Sequence, residues 1–264
     1  MNDAAYVELL QWALPRLGLR WEGFRNVRRQ VCRRIKARIG ELGMTDVSSY
    51  RRRLETDPDE AGVLDALCFV TISRFYRDRF VFDALAGTLL PRLAEQAIAR
   101  GDGRLRVWSA GCASGEEPYT IAILWHLVLS ARFPALGLDV LATDFDEAVL
   151  ARAARGCYEA GSLRELPDEW IAAAFEGGCL RGEVKRYVTF VKADLRVFTP
   201  SWRFDLVLCR NAVFTYFAED AQRAFARRVE GLLVPGGALV IGSHEKVPDD
   251  GSASMRPWSM PGRR

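Results

Sequence analysis

Four short segments of this 264-residue chain carry residues suited to chemistry, and each closes a run of apolar residues. The first is SAGCASGEEPY, where small residues lead into Glu116 and Glu117. ATDFD supplies Asp144 and Asp146, ADL supplies Asp194, and CRNAVFTYF supplies Arg210, Asn211 and Tyr216. Small residues let backbone approach a ligand, and a helix that follows them offers its N-terminal amides. The pyrophosphate fingerprint GxGxxG is absent, because three residues separate Gly111 from Gly115. Glu116 and Glu117 would repel phosphate and welcome an amine; the plainer role for either is to complement a helix dipole. Asp144 is placed to accept hydrogen bonds from ribose hydroxyls, whereas Asp146 equally suits the N-cap of the next helix. Asp194 could accept from an adenine amino group. An acid at each of three successive run ends favours a nucleoside without a pyrophosphate. Arg210 and Asn211 leave the fourth run toward the same place, and Tyr216 either joins them or packs beside Phe214 and Phe217.

Those positions need a sheet to hold them. LRVWSAGC, LDVLATDF, VTFVKADL, FDLVLCRN and GALVIGS are short apolar runs. They alternate with helix-like segments such as PYTIAILWHLVLSA, DEAVLARAARG and EDAQRAFARRVEGLL. This alternation predicts an α/β fold, a mostly parallel sheet with helices on both faces and ligands beyond the strands' carboxyl ends. Residues 157–192 break the alternation and read as an insertion, with short antiparallel strands around GCLRGEVKRYVTF. The first hundred residues read as helices. Val27, Val31, Ile35 and Ile39 form one stripe, and Arg25, Arg29, Arg33 and Lys36 lie on the opposite side of the same helix. A break falls at Asp57–Pro58, a further helix runs through EAGVLDALCFV, and Pro91 opens the later part of FVFDALAGTLLPRLAEQAIAR. The expected organisation is a basic helical region at 1–85, an α/β domain at 86–247 and a Gly/Ser/Pro-rich flexible tail at 248–264.

Net charge is only +3, yet twelve Lys or Arg face three acids between Arg16 and Arg53. Such a module suits an anionic partner, although a solvated helix face would look the same. The cations lack the interleaved aromatics that stack bases, so no nucleic acid is expected. The six cysteines form no CxxC or CxxH pair, so no metal site is expected. No apolar run reaches membrane-spanning length, and MNDAAYVELLQW lacks the marks of a signal peptide. A reducing cytoplasm is the expected compartment. His126 and His244, the only two histidines, receive no role.

WSAGCASGEEPYTIA, ATDFDEAVLARAARGCY, FDLVLCRNAVFTYF and LVPGGALVIGSHE, taken in order, resemble the motifs of the bacterial chemotaxis receptor methyltransferases, the CheR family. RRIKARIGELGMTDVSSYRRRLETDPDE and ISRFYRD extend the likeness over roughly residues 20–247. The resemblance implies a class I methyltransferase domain with a Rossmann-like sheet, a small all-α N-terminal domain and a short β insertion. It implies S-adenosylmethionine as cofactor, S-adenosylhomocysteine as product, and methyl transfer to glutamates on an acidic receptor helix. The implied cofactor contacts fall on Thr71, Ser73, Arg77, Glu117, Asp144, Asp194, Leu195, Arg210 and Asn211. Glu117 would take the methionine amine and Asp144 the ribose, with Arg77 and Tyr216 flanking the transferred methyl as catalytic residues. Thr71, Ser73 and Asp194 stand where the family usually has Asn, Thr and Asn, and Thr215 replaces an aliphatic residue. A short insertion bears on whether a receptor tether peptide could be gripped. A monomer with no membrane insertion is expected. The alternatives are another acceptor, a small molecule or an RNA, or a regulator that binds the cofactor without catalysis.

Overall fold

The computed structural model describes residues 3–248; the stretch 249–264, which holds most of the expected tail, lies outside the described residues. The N-terminal region is helical: α1 (Asp3–Ala13), α2 (Trp21–Phe24), α3 (Arg28–Glu41), α4 (Val47–Thr56) and α5 (Pro58–Cys68). Asp46 caps α4 by accepting from the Ser49 N–H at 2.8 Å. Asp57 closes α4 and caps α5, with Pro58 in the first turn, where a missing N–H does no harm. Val31, Ile35 and Ile39 are buried as the stripe predicts, while Val27 is half-buried just outside α3. Arg25 lies in the turn before α3 rather than on it, so the exposed cationic row on α3 itself is Arg29, Arg33 and Lys36. Helix α5 stops at Cys68, short of the Val70 that its apolar run suggested. The irregular stretch that follows leads to α6 (Arg79–Ala84), which passes through a π-turn into α7 (Leu90–Ala99), with Pro91 in its opening turn.

The second part interleaves strands and helices: β1 (Arg104–Ala110), α8 (Glu116–Leu124), β2 (Gly137–Asp144) and α9 (Glu147–Arg155). The inserted segment holds α10 (Ala160–Leu163), α11 (Asp168–Ala174), the hairpin β3 (Phe175–Glu176) and β4 (Cys179–Leu180), and α12 (Gly182–Lys185). The chain then forms β5 (Val188–Lys192), β6 (Phe204–Cys209), α13 (Val213–Tyr216), α14 (Glu219–Leu232) and β7 (Leu233–Ile241). Five strands make one sheet in the order β5-β2-β1-β6-β7, and every neighbouring pair is parallel. Val188–Lys192 is therefore an edge strand of this sheet and not part of an antiparallel insert. Within GCLRGEVKRYVTF only Cys179–Leu180 pairs antiparallel, and the residues between the two strands form α12.

Side chains on a strand alternate between faces. On β1, Leu105 and Val107 join the core beneath α7 and α8. Trp108 and Ala110 join Leu10, Phe24, Val31 and Ile35 of the N-terminal helices and Phe225 of α14. The N-terminal helices thus cover one face of the sheet. Trp108 is fully buried and donates its indole N–H to Thr143 Oγ1 at 2.9 Å, so truncating it to Ala would cost about 3–5 kcal/mol.

A disulfide joins Cys157, just past α9, to Cys179 of β4. The two residues form an isolated antiparallel bridge with Cα atoms 3.9 Å apart. Their sequence separation of 22 matches no cysteine motif, and the bond differs from what a reducing cytoplasm leads one to expect. Cys32, Cys68, Cys112 and Cys209 are buried and take no part in a disulfide. Among the described residues no helix is long and apolar enough to cross a membrane.

Candidate functional site

Strand order reverses around β1, which continues to β2 on one side and pairs with β6 on the other. A crevice opens there beyond the carboxyl ends, where open α/β sheets bind ligands. Gly111 forms its floor at φ 84°, and an added Cβ would lie 2.9 Å from Ala212 Cβ. Glycine is required, both for the backbone conformation and for the narrow approach. The crevice has two adjoining lobes. Thr71, Asp144, Asp194 and Leu195 line the first lobe; Ser73, Arg77, Glu117 and Arg210 line the second. Gly111, Ala113, Asn211 and Tyr216 line both. The residues that the family resemblance implies as cofactor contacts or as flanking the methyl all line this crevice, whereas Glu116 and Asp146 do not.

The carboxylates differ in their surroundings. Asp144 accepts the N–H groups of Ala113 at 2.8 Å and Asp146 at 3.1 Å, which fixes its orientation at the end of β2. Burial raises its pKa, and these backbone bonds oppose the shift. Asp146 caps α9 through Ala148 and Val149, as its plainer role required. Of the glutamate pair only Glu117 reaches the crevice; Glu116 turns away to accept from Ser114 and Ser162. Glu117 accepts from Ser109 Oγ at 2.7 Å and from Arg210 at 3.2 Å, and burial still raises its pKa. Asp194 is held by Arg196, whose Nε lies 2.9 Å from both carboxylate oxygens.

The segment after β6 is fixed from several sides. Arg210, with a side chain only 3% exposed, donates to Glu117, to Asp78 at 2.6 Å and to the Arg77 carbonyl at 2.9 Å. It pins the turn that carries Arg77 against the end of β6, and Arg77 in turn donates to the Ile72 carbonyl at 2.6 Å. Burial raises the Tyr216 phenol's pKa, and the nearby Arg77 charge pulls it back. The Tyr216 ring packs on Phe24 with centroids 5.0 Å apart. Packing and reaching the crevice are therefore both realised for Tyr216.

The sequence pattern did not mark several residues that shape this place. Arg20 donates to the carbonyls of Phe214 at 2.6 Å and Thr215 at 3.0 Å, capping the short helix α13 from the N-terminal region. Gly23 comes so close that a Cβ there would lie 2.2 Å from the Thr215 carbonyl oxygen. Glu245, in the loop after β7, accepts from the N–H of Asn211 and from the Thr215 hydroxyl, which accounts for the departure at position 215. Asp65, Phe69 and Phe145 line the first lobe. The only signal for Glu245 was its place at the end of LVPGGALVIGSHE.

An all-parallel sheet with this order, a glycine floor and acids beyond successive strand ends define a class I, S-adenosylmethionine-dependent methyltransferase. The chain belongs to the CheR family: residues 71–259 match the CheR methyltransferase, SAM binding domain. It is 33% identical to a chemotaxis protein methyltransferase of Listeria monocytogenes over 222 residues, 83% of this chain and 81% of that one. Proteins of the same name in Salmonella typhimurium and Escherichia coli are each 30% identical. The first alignment covers 100% of this chain and 89% of the relative, the second 93% and 85%.

Proposed function

We propose that this methyltransferase forms methyl esters on glutamate side chains of a chemoreceptor-like protein, acting as a monomer in the cytoplasm. One observation carries the reading. The second lobe offers a cation and a phenol but no free base: His126 and His244 lie outside it, and Glu117 is ion-paired to Arg210. A hydroxyl or amine acceptor must lose a proton to react, whereas a glutamate is already ionised at neutral pH, its reference pKa being about 4.3.

The cofactor supplies a methyl group on a sulfonium, activated without metal or base. The protein's part is to orient and to exclude water. Glu117 would hold the methionine amine and Asp144 the ribose hydroxyls. Gly111 lets the two lobes join. Arg77 would hold the incoming carboxylate at fixed geometry, and the Tyr216 hydroxyl would steer it. Arg29, Arg33 and Lys36 are exposed and make no ion pair among the described residues, which suits an acidic receptor helix. Individually such charges are worth ~0–1 kcal/mol, but an aligned row steers encounter.

The test is transfer from methyl-labelled cofactor to a receptor-containing membrane fraction, followed by mild alkali. Release of the label as methanol is expected, and an alkali-stable label would refute the ester. Arg77→Ala and Tyr216→Phe should lower turnover more than they lower cofactor affinity.

A further inference from the structure

A residue lining the first lobe carries an acceptor that the protein leaves unused. Asp65, on α5, is 7% exposed and lines this lobe with Asp194, Leu195, Phe69 and Phe145. Its Oδ2 accepts from Arg196 at 2.5 Å, while its Oδ1 is buried with no hydrogen-bond partner. An unmet buried carboxylate oxygen is unfavourable, and a purely structural ion pair gives no reason to leave it so. Arg196 also holds Asp194, so two carboxylates share one guanidinium and the cluster keeps acceptor capacity in excess of its donors. With the ribose at Asp144, a reading on which the inference rests, the base extends along this lobe toward Asp194 and Asp65. Adenine carries two N–H donors on its 6-amino group.

We propose that Asp65 Oδ1 accepts a hydrogen bond from the 6-amino group of the cofactor's adenine, so that a helix of the N-terminal region takes part in selecting the base. Asp194 and Asp65 then each meet one N–H. A base with oxygen at position 6 would set its lone pairs against both carboxylates.

The experiment is calorimetry on the full chain with S-adenosylhomocysteine and two analogues, one with hydrogen and one with oxygen at position 6. The wild type is expected to prefer the amino compound over the 6-hydrogen analogue by roughly 10- to 100-fold, the scale of hydrogen bonds to charged groups. Asp65→Ala should lower that preference about tenfold and leave the 6-hydrogen analogue's affinity nearly unchanged. Asp65→Asn, isosteric and less disruptive, should keep its amide oxygen on Arg196 and present N–H groups to the base. It should therefore shift preference toward the 6-oxo analogue. A role confined to anchoring α5 would weaken all three ligands equally, and unchanged ratios in both variants would overturn the inference. Equal binding of the amino and 6-hydrogen compounds by the wild type would overturn it too. Failure of the wild type to bind S-adenosylhomocysteine at all would instead refute the cofactor site itself.

Discussion

Removing the Glu245 carboxylate should disable the site without unfolding the protein. Its Oε2 accepts from the N–H groups of Asn211 at 2.9 Å and Gly242 at 2.6 Å, and its Oε1 from the Thr215 hydroxyl at 2.5 Å. These bonds tie the loop after β7 to the segment carrying Asn211, which sits at φ 55°, and Tyr216. Left-handed backbone costs a non-glycine residue ~1 kcal/mol and persists only where its surroundings impose it. Each bond to a charged acceptor is worth ~1.5–3 kcal/mol, but Glu245 is half-exposed and water can replace it at the two backbone donors, so Glu245→Ala should cost about 2–4 kcal/mol in total. The sheet core makes none of these contacts, so the damage should be local. A 1 Å displacement of a catalytic group can cost on the order of 100-fold, so kcat should fall roughly 10- to 100-fold, and cofactor affinity should weaken too because Asn211 lines both lobes. Thr215→Val removes one bond and should cost about 1 kcal/mol, and the double variant should fall short of additivity by a similar amount. Thermal melts, calorimetry with S-adenosylhomocysteine and methyl-transfer rates on the three variants measure all of this. Unchanged kcat and melting temperature in Glu245→Ala, or strict additivity in the pair, would refute the reasoning.

Asp144→Ala should weaken S-adenosylhomocysteine binding by roughly 1–3 kcal/mol, the scale of unpaired polar groups, as calorimetry would read. Because burial raises the Glu117 and Asp144 carboxyls, they bind protons more tightly folded than unfolded. Their charged forms oppose folding above the raised pKa values, and acid relieves that penalty while it removes the charge an amine needs. Cofactor affinity should therefore fall as pH drops while still above the ordinary carboxylate range of ~4, and Glu117→Gln should flatten the profile. Reducing Cys157–Cys179 should lower the melting temperature by several degrees, since closing a loop of this size is worth up to ~3 kcal/mol. Affinity should not change, because neither cysteine lines the crevice. Gly23→Ala should lower kcat, since its Cβ must displace the Thr215 carbonyl beside Tyr216; normal turnover would show that the α2 contact does not position that residue.

The sheet was legible because each strand is a short apolar run ending in small or polar residues, and a parallel sheet covered on both faces demands that pattern. Asp144, Asp194 and Asn211 were legible for the same reason, since strand ends are countable in a sequence. Register with solvent was harder to read. Val188–Lys192 mixes half-buried and exposed residues at a sheet edge, with none fully buried, which in sequence resembles an antiparallel insert. Whether Glu116 or Glu117 faces the ligand depends on one helical step at the start of α8, and only the packing of Ser114 and Ser162 against Glu116 decides it. The disulfide was not legible because its two cysteines meet through the β3–β4 hairpin rather than through spacing.

The residues missed around the crevice share a cause: Arg20, Gly23, Asp65 and Glu245 act from outside the strand ends. Arg20 and Gly23 approach the Tyr216 turn from the N-terminal side, and Glu245 approaches it from the C-terminal side. Helix α13, which carries Tyr216, spans only four residues, too short to be stable by itself. Its geometry must be imposed by neighbours, and two distant stretches of chain, around Arg20–Gly23 and at Glu245, impose it. The helical region also shapes the crevice: without Arg20 on the Phe214 and Thr215 carbonyls, those acceptors at the end of α13 would turn to water. The position of Tyr216 would follow them. A domain cut at the start of the sheet would keep Gly111, Asp144 and Asp194 yet lose the contacts that aim the turn carrying Tyr216.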